Sequence, residues 1–122
     1  MLDRAVDPSG LEAGLLRVAA ALPGVPLLVT ENGCPTPDEI FRIRYVAAHL
    51  AALERARRAG APVGGYFHWT AVDNYEWHEG FGDARFGLVA FDPETQERRV
   101  KRSGEWLAEV IAAGELDPAR IP

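Results

Sequence analysis

Two short apolar runs, separated by a helix-like segment, constrain the fold of this chain most strongly. Residues 25–29 and 63–69 are largely apolar stretches of strand length, and the second contains Gly64 and Gly65. Apolar runs without polar alternation are typical of strands buried on both faces of a parallel sheet. Because parallel strands need a long crossover, which is usually a helix, this order predicts a βαβ unit. The sequence therefore predicts the α/β class.

Helix signals surround the two runs. Asp7 and Pro8 are typical of a helix N-cap and first helical position. The apolar face predicted for that helix comprises Leu11, Leu15, Val18, Ala19 and Leu22. The sequence TPDE at residues 36–39 predicts a capping box that opens the crossover helix, which should end near Gly60. The apolar face predicted for the crossover helix comprises Ile40, Ile43, Ala47, Leu50 and Leu53.

The last third of the chain predicts a hairpin followed by a helix. Residues 92–95 form a turn sequence, which predicts that residues 85–91 pair with residues 96–100. Ser103 is predicted to cap the last helix, and the polar tail after Gly114 is predicted to fray. No linker or internal repeat divides the chain, so residues 1–122 are predicted to form one domain or a piece of one.

Charge and cysteine content limit the classes of function. The net charge of −5 over 122 residues disfavours a nucleic acid or an anionic membrane surface as a partner. Cys34 is the only cysteine, so no internal disulfide can form, which favours a reducing compartment and predicts a cytoplasmic protein. His49, His68 and His78 do not have metal-ligand spacing, and no glycine-rich phosphate loop precedes a helix, so we expect no metal and no cofactor.

Polar and aromatic residues concentrate where the two predicted strands end. Glu31 follows the first run, Trp69 closes the second, and Glu76 and Trp77 lie in the loop beyond it. In parallel α/β folds, ligands bind at the carboxyl ends of the strands. Carboxylates can bind sugar hydroxyls and indoles can stack on sugar rings, so the pattern suits a carbohydrate site. The alternatives are core packing for the tryptophans and solvent-exposed acids at Glu31 and Glu76.

Two long motifs resemble family 1 glycoside hydrolases, the β-glucosidase type. PLLVTENG at residues 26–33 is similar to the nucleophile strand of that family, and GYFHWTAVDNYEW at residues 65–77 is similar to its last barrel strand and sugar-binding loop. RFGL at residues 85–88 and KRSGEW at residues 101–106 resemble the segments that follow. The resemblance extends from about Val6 to Ile111 and implies the last two parallel strands of an incomplete (β/α)8 TIM barrel, with their helices and a short β-hairpin.

The resemblance also implies a role for each candidate residue. Glu31 would be the nucleophile of a retaining β-glycosidase, and Trp69 would be the platform under the sugar. Glu76 and Trp77 would bind sugar hydroxyls, and Phe86 would form part of the wall of the same subsite. Relatives that accept 6-phosphorylated sugars replace the acid at the position of Glu76. The resemblance therefore implies a β-glucoside or β-galactoside without a phosphate.

One part of the family's chemistry has no counterpart in these residues. The acid/base glutamate of the family lies in an Asn-Glu-Pro motif, and the 122 residues contain none. A complete barrel takes ~250 residues. We therefore expect the C-terminal part of a hydrolase that is inactive alone because its acid is missing. It would dock with an N-terminal barrel segment, self-associate or be only marginally folded. The alternatives are a non-catalytic carbohydrate-binding remnant and a structural remnant.

Overall fold

The computed structural model describes residues 6–122, so Met1–Ala5 of the predicted unit lie outside the described residues. It contains three α-helices, two pairs of strands and a short 3-10 helix. In chain order, the elements are α1 Pro8–Ala21, β1 Leu27–Asn32, α2 Glu39–Arg58, β2 Val63–His68, β3 Val89–Phe91, β4 Arg98–Val100, α3 Arg102–Ala113 and the 3-10 helix Pro118–Arg120.

The strands β1 and β2 form a parallel pair joined by α2, which confirms the predicted βαβ unit. Leu27 lies opposite Val63, and Asn32 lies opposite His68. The register shifts between these two points, so the pair is irregular along its length. A separate antiparallel pair joins β3 to β4, as the hairpin prediction requires. The α/β class with parallel strands is therefore confirmed.

The helices cover one face of the parallel pair. Leu15 from α1 and Leu53 and Ala56 from α2 pack with Leu27, Val29 and Val63 in one apolar cluster. A second cluster joins α2 to α3 and is made by Ile43, Val46, Ala47, Trp106 and Leu107. Tyr66 packs against both clusters, which makes it a link between them.

The opposite face of the parallel pair is open. Leu28 is 58% exposed and Phe67 is 59% exposed, although both are large apolar residues within strands. In the described residues the sheet has only these two strands. A helix-covered outer face and an uncovered inner face are what two neighbouring strands of a (β/α)8 barrel would present.

Several predicted boundaries are wrong by a few residues. Strand β1 continues to Asn32 instead of ending at Val29, β2 ends at His68, and the predicted strand at residues 85–91 begins only at Val89. The N-cap of α2 is Asp38, whose carboxylate accepts from the backbone N–H groups of Ile40 and Phe41. Thr36 instead accepts from the backbone N–H of Asp38.

Three predictions about the helices and the tail are also wrong. Helix α3 has Lys101 at its N-cap, and the hydroxyl of Ser103 donates to the carboxylate of Glu39 instead of capping. The tail does not fray in the structure, because Ile121 packs on the second cluster and the carbonyl of Pro122 accepts from Arg44 Nε at 2.6 Å. On α1, Val18 and Leu22 are exposed, so the buried face is narrower than predicted.

No helix within residues 6–122 has the length and apolar character needed to cross a membrane.

Candidate active site

The end of β1 is held by a small polar network around Asn32. Its side-chain Oδ1 accepts from the Tyr66 hydroxyl at 2.9 Å, and its Nδ2 donates to the Tyr45 hydroxyl at 3.3 Å. The neighbouring Glu31 is exposed and takes part in none of the ion pairs found in residues 6–122. Its carboxylate is therefore not committed to an architectural arginine or lysine.

The end of β2 lies directly beside the end of β1. The backbone N–H of Trp69 donates to the carbonyl of Asn32 at 3.0 Å. The backbone of Gly33 lies so close to that of Trp69 that any side chain at position 33 would overlap the Trp69 carbonyl. The structure therefore brings Glu31 and Trp69 to the same edge of the parallel pair. Trp69 is 38% exposed, so it is not a core residue.

The loop after β2 presents Glu76 and Trp77. Reciprocal backbone hydrogen bonds join Glu76 to Gly80, and Asn74 Nδ2 donates to Glu76 Oε1 at 2.8 Å. Trp77 is 89% exposed and meets Tyr75 edge-on, with ring centroids 6.2 Å apart. The core-packing alternative is therefore wrong for Trp77. Within the described residues, no side-chain hydrogen bond or ion pair joins Glu76 or Trp77 to Glu31.

A buried ion pair fixes the beginning of that loop. Asp73 Oδ1 accepts from Lys101 Nζ at 2.7 Å and from the backbone N–H of Gly87 at 2.8 Å. Both charged side chains are nearly inaccessible to solvent. A side chain at Gly87 would overlap the backbone nitrogen of Asp73, so the loop and the segment after it pass each other closely. Asp73 is therefore a loop-holding residue.

Phe86 is half-buried, and its backbone carbonyl is held by two side chains. It accepts from Arg42 Nη1 at 2.8 Å and from His68 Nε2 at 3.0 Å. Burial lowers the pKa of His68, and the charges of Arg42 and Lys101 lower it further. The ring is therefore neutral at pH 7, and it carries its proton on Nε2 because a carbonyl can only accept.

Sequence reasoning missed Arg42, although the helix pattern contained a signal. Arg42 is fully buried and donates to four backbone carbonyls, those of Cys34, Thr36, Arg85 and Phe86. At helical spacing it shares a face with Val46, His49 and Leu53, which are all buried. A cation on a buried helical face needs several hydrogen-bond acceptors. The position of Arg42 on the same helical face as Val46 and Leu53 could therefore have identified it as a structural residue.

Cys34 is unsuited to catalysis as a thiolate. Its side chain is buried, and burial raises its pKa to about 11, with the nearby Arg42 charge opposing the rise. The thiol is therefore protonated at neutral pH. In residues 6–122, no three or more His, Cys, Asp or Glu side chains are grouped closely enough to hold a metal ion.

Taken together, the two neighbouring strand ends carry one uncommitted carboxylate, that of Glu31, and one accessible indole, that of Trp69. A carboxylate in that setting can attack an electrophilic carbon or stabilise a positive charge, and an indole face can hold a sugar ring. Retaining glycoside hydrolysis needs two carboxyl groups roughly 5–5.5 Å apart. The 122 residues contain no Asn-Glu-Pro sequence, so they do not identify the second carboxyl group of such a pair.

Comparison with known proteins decides the family. Residues 1–116 match the family model described as glycosyl hydrolase family 1. The chain belongs to glycosyl hydrolase family 1. It is 41% identical over 120 residues to the bifunctional β-D-glucosidase/β-D-fucosidase of Bifidobacterium breve, an alignment that covers 88% of this chain and 26% of that protein. The resemblance of the two motifs is therefore confirmed.

A second curated relative and a solved structure match to a similar extent. The 6-phospho-β-galactosidase of Staphylococcus haemolyticus is 36% identical over 125 residues, which covers 93% of this chain and 26% of that protein. The β-glycosidase of Pyrococcus horikoshii is 39% identical and superposes with a TM-score of 0.89, over 95% of this chain and 27% of that structure. The chain thus spans about a quarter of the length of these family 1 relatives.

Proposed function

We propose that this chain is the nucleophile-bearing part of a retaining β-glycosidase and contributes two strands to a (β/α)8 barrel. The observation that carries the proposal is the hydrogen bond between the Asn32 carbonyl and the Trp69 N–H, 3.0 Å long. It brings the backbones of the two strand ends together at one edge of the parallel pair, which supports placing exposed Glu31 and accessible Trp69 in one site. Membership of the family supports the assignment of these residues to sugar chemistry.

In the proposed reaction, Glu31 attacks the anomeric carbon of a β-glycoside. A bond forms between the Glu31 carboxylate oxygen and that carbon, while the bond from the carbon to the leaving-group oxygen breaks. An acid protonates the departing oxygen, and a water later hydrolyses the glycosyl-enzyme. The Trp69 face supports the ring, Glu76 and Trp77 bind its hydroxyls, and Phe86 lines the subsite.

Glu76 bears on the substrate class in this proposal. Its carboxylate accepts a hydrogen bond from the neutral side chain of Asn74 at 2.8 Å. Among the described residues, no lysine or arginine forms an ion pair with it. A negative charge there would repel a sugar phosphate. We therefore propose an unphosphorylated β-glucoside or β-galactoside, although family 1 relatives of both kinds match this chain.

The partner in this proposal is a complementary barrel segment that supplies the acid. The 122 residues contain no Asn-Glu-Pro sequence, and general acid assistance typically contributes ~10²–10⁴-fold to the rate. The chain alone should therefore show little or no turnover.

Nucleic acid and membrane surfaces are not partners in this proposal, because the net charge is −5. We propose a cytoplasmic location, because Cys34 is the only cysteine and a reducing compartment suits a chain that forms no internal disulfide.

A chimera tests the proposal. This chain replaces the matched region of the Bifidobacterium breve relative, and hydrolysis of p-nitrophenyl β-glucoside is measured. The proposal predicts turnover by the chimera, a loss of at least about 10³-fold in kcat with Glu31→Gln, and near-normal kcat with the exposed control Glu94→Gln. A Glu31→Gln chimera that retains normal kcat would contradict the assignment of the nucleophile.

A second candidate function is carbohydrate binding without turnover. The observation that favours it is the 89% exposure of Trp77, which leaves an indole face open to a ligand. A titration of the isolated chain with cellobiose, followed by tryptophan fluorescence, distinguishes the two functions. Saturable quenching that Trp77→Leu removes, together with an inactive chimera, would favour binding alone.

A further inference from the structure

We propose that Arg42 is a positioning residue that locks the Phe86 segment of the sugar subsite to the loop following Glu31. The inference deepens the proposed function and rests on it, because Phe86 and Glu31 have roles only within that function. Arg42 lies on helix α2 and touches neither sugar nor the reacting atoms in the proposal. It would act through the backbone of other residues.

The geometry is that of a fully occupied guanidinium. Nη1 donates to the carbonyls of Cys34 at 3.0 Å and Phe86 at 2.8 Å, and Nη2 donates to those of Arg85 at 2.7 Å and Thr36. Nε donates to Glu39 Oε1 at 3.3 Å. All five N–H donors of the side chain are therefore used, and the side chain is 0% exposed.

Glu39 anchors this guanidinium from the opposite side. Its second carboxylate oxygen accepts from the backbone N–H of Ser103 at 3.1 Å and from the Ser103 hydroxyl at 2.5 Å. The charge of Arg42 thus has a partly buried counter-charge in Glu39, which itself is tied to the first turn of α3. This arrangement fixes the guanidinium plane between two helices instead of leaving it to follow the loops.

The four carbonyls belong to two segments that the proposed chemistry needs at fixed positions relative to each other. Cys34 and Thr36 follow Glu31 along the chain, whereas Arg85 and Phe86 come from the far end of the sugar-binding loop. A direct backbone bond between the same segments, from Thr36 N–H to the Arg85 carbonyl, is only one link at 3.2 Å. Arg42 adds two links on each side, so it dominates the connection.

His68 links the same hydrogen-bond network to Trp69. Its Nε2 donates to the Phe86 carbonyl that Arg42 also binds, and His68 directly precedes Trp69 in the chain. One carbonyl is therefore shared by the strand that carries the sugar platform and the helix that carries Arg42. A lysine at position 42 would keep the charge but lack the planar fork that reaches both segments.

Kinetics of the chimera test the inference. Arg42→Lys should raise KM and lower kcat/KM by about ten- to a hundredfold, since a displacement of about 1 Å at a positioning group can cost ~10²-fold. Arg55→Lys, on an exposed part of the same helix, is the matched control and should leave both constants within about twofold. Far-ultraviolet circular dichroism and thermal melts ensure that each variant is folded at the assay temperature.

A double-mutant cycle separates positioning from mere stability. If Arg42 acts through Phe86, Arg42→Lys should change kcat/KM by less than about threefold in a Phe86→Ala background. Effects that multiply independently would overturn the inference, even where Glu31→Gln shows that the proposed function holds. If Arg42→Lys does not fold, Glu39→Gln provides a milder loosening of the guanidinium, with the same coupling to Phe86→Ala expected.

Amide hydrogen exchange on the 122-residue chain itself tests the inference independently of activity. Arg42→Lys should speed exchange at the Thr36 and Gly87 amides by at least about tenfold, while the amides of α1 keep their rates. Unchanged rates at Thr36 and Gly87 would overturn it. An inactive chimera with the expected exchange pattern would contradict only the proposed function.

Discussion

At the scale of single residues, burial determines which side chains near β1 are available to react. Cys34, close after Glu31 in the chain, is buried, and so is Arg42 on helix α2, whose N–H groups are all occupied by acceptors. The thiol has a pKa raised to about 11 because burial disfavours its charged form. Neither residue therefore competes with Glu31 as a nucleophile or base.

The raised pKa of Cys34 predicts a loss of stability in alkali. The folded state holds the thiol proton more tightly than the unfolded chain, whose thiol has its ordinary value of 9.0. The contribution is fully present below pH 9 and is lost as the pH rises through 9 to about 11. Urea unfolding at several pH values should show a shallower alkaline decline for Cys34→Ala than for the parent chain. Parallel declines would contradict the prediction.

The sequence identified site residues by their chemistry but not the residues that hold them. Glu31 lies near the end of β1, and Trp69 and Glu76 follow β2; polar and aromatic residues at strand ends are not explained by core packing, so these three could be identified. Arg42 and Lys101 were not identified, because their acceptors come from segments far away in sequence. Such acceptors are known only once the fold brings the segments together.

At the scale of elements, backbone groups occupied by side chains explain the wrong strand boundary before β3. The carbonyls of Arg85 and Phe86 accept from Arg42, and the N–H of Gly87 donates to Asp73. These groups are therefore unavailable for a strand ladder, and β3 begins only at Val89. The β-forming character of Phe86 and Leu88 could not reveal this competition.

The buried pair of Asp73 and Lys101 predicts a large asymmetry between variants. Lys101→Met leaves the Asp73 carboxylate buried without its counter-charge and should lower the free energy of unfolding by about 3–5 kcal/mol. Arg120→Met, which removes an exposed pair with Glu109, is the control and should cost less than about 1 kcal/mol. Urea denaturation at pH 7 measures both. Equal costs would show that the buried pair does not hold the loop.

At the scale of the whole molecule, the open face of the parallel pair is the feature that most needs a partner. Leu28 and Phe67 lie on the face that the helices do not cover, and the sheet has two strands within residues 6–122. Strand edges and apolar faces of this kind favour association. Tyr66 does not belong to this open face, because it packs against both helix-covered clusters.

This surface predicts that the isolated chain associates with itself when no complementary segment is present. Phe67→Ser should shift the population toward monomer, because it removes an exposed aromatic from the open face. Ile111→Ser, at an exposed apolar position on α3, is the matched control and should have little effect. Size-exclusion chromatography with light scattering measures the mass over a range of concentrations. A parent chain that is monomeric throughout would contradict the prediction.

Covalent trapping in the chimera tests the central role of Glu31 most directly. An activated 2-deoxy-2-fluoro-β-glucoside lets the first displacement proceed and slows hydrolysis of the glycosyl-enzyme, so the label accumulates on the nucleophile. Intact mass and peptide mapping should find one added sugar on the peptide that contains Glu31, and none in the Glu31→Gln chimera. A sugar attached to any other carboxylate would contradict the account.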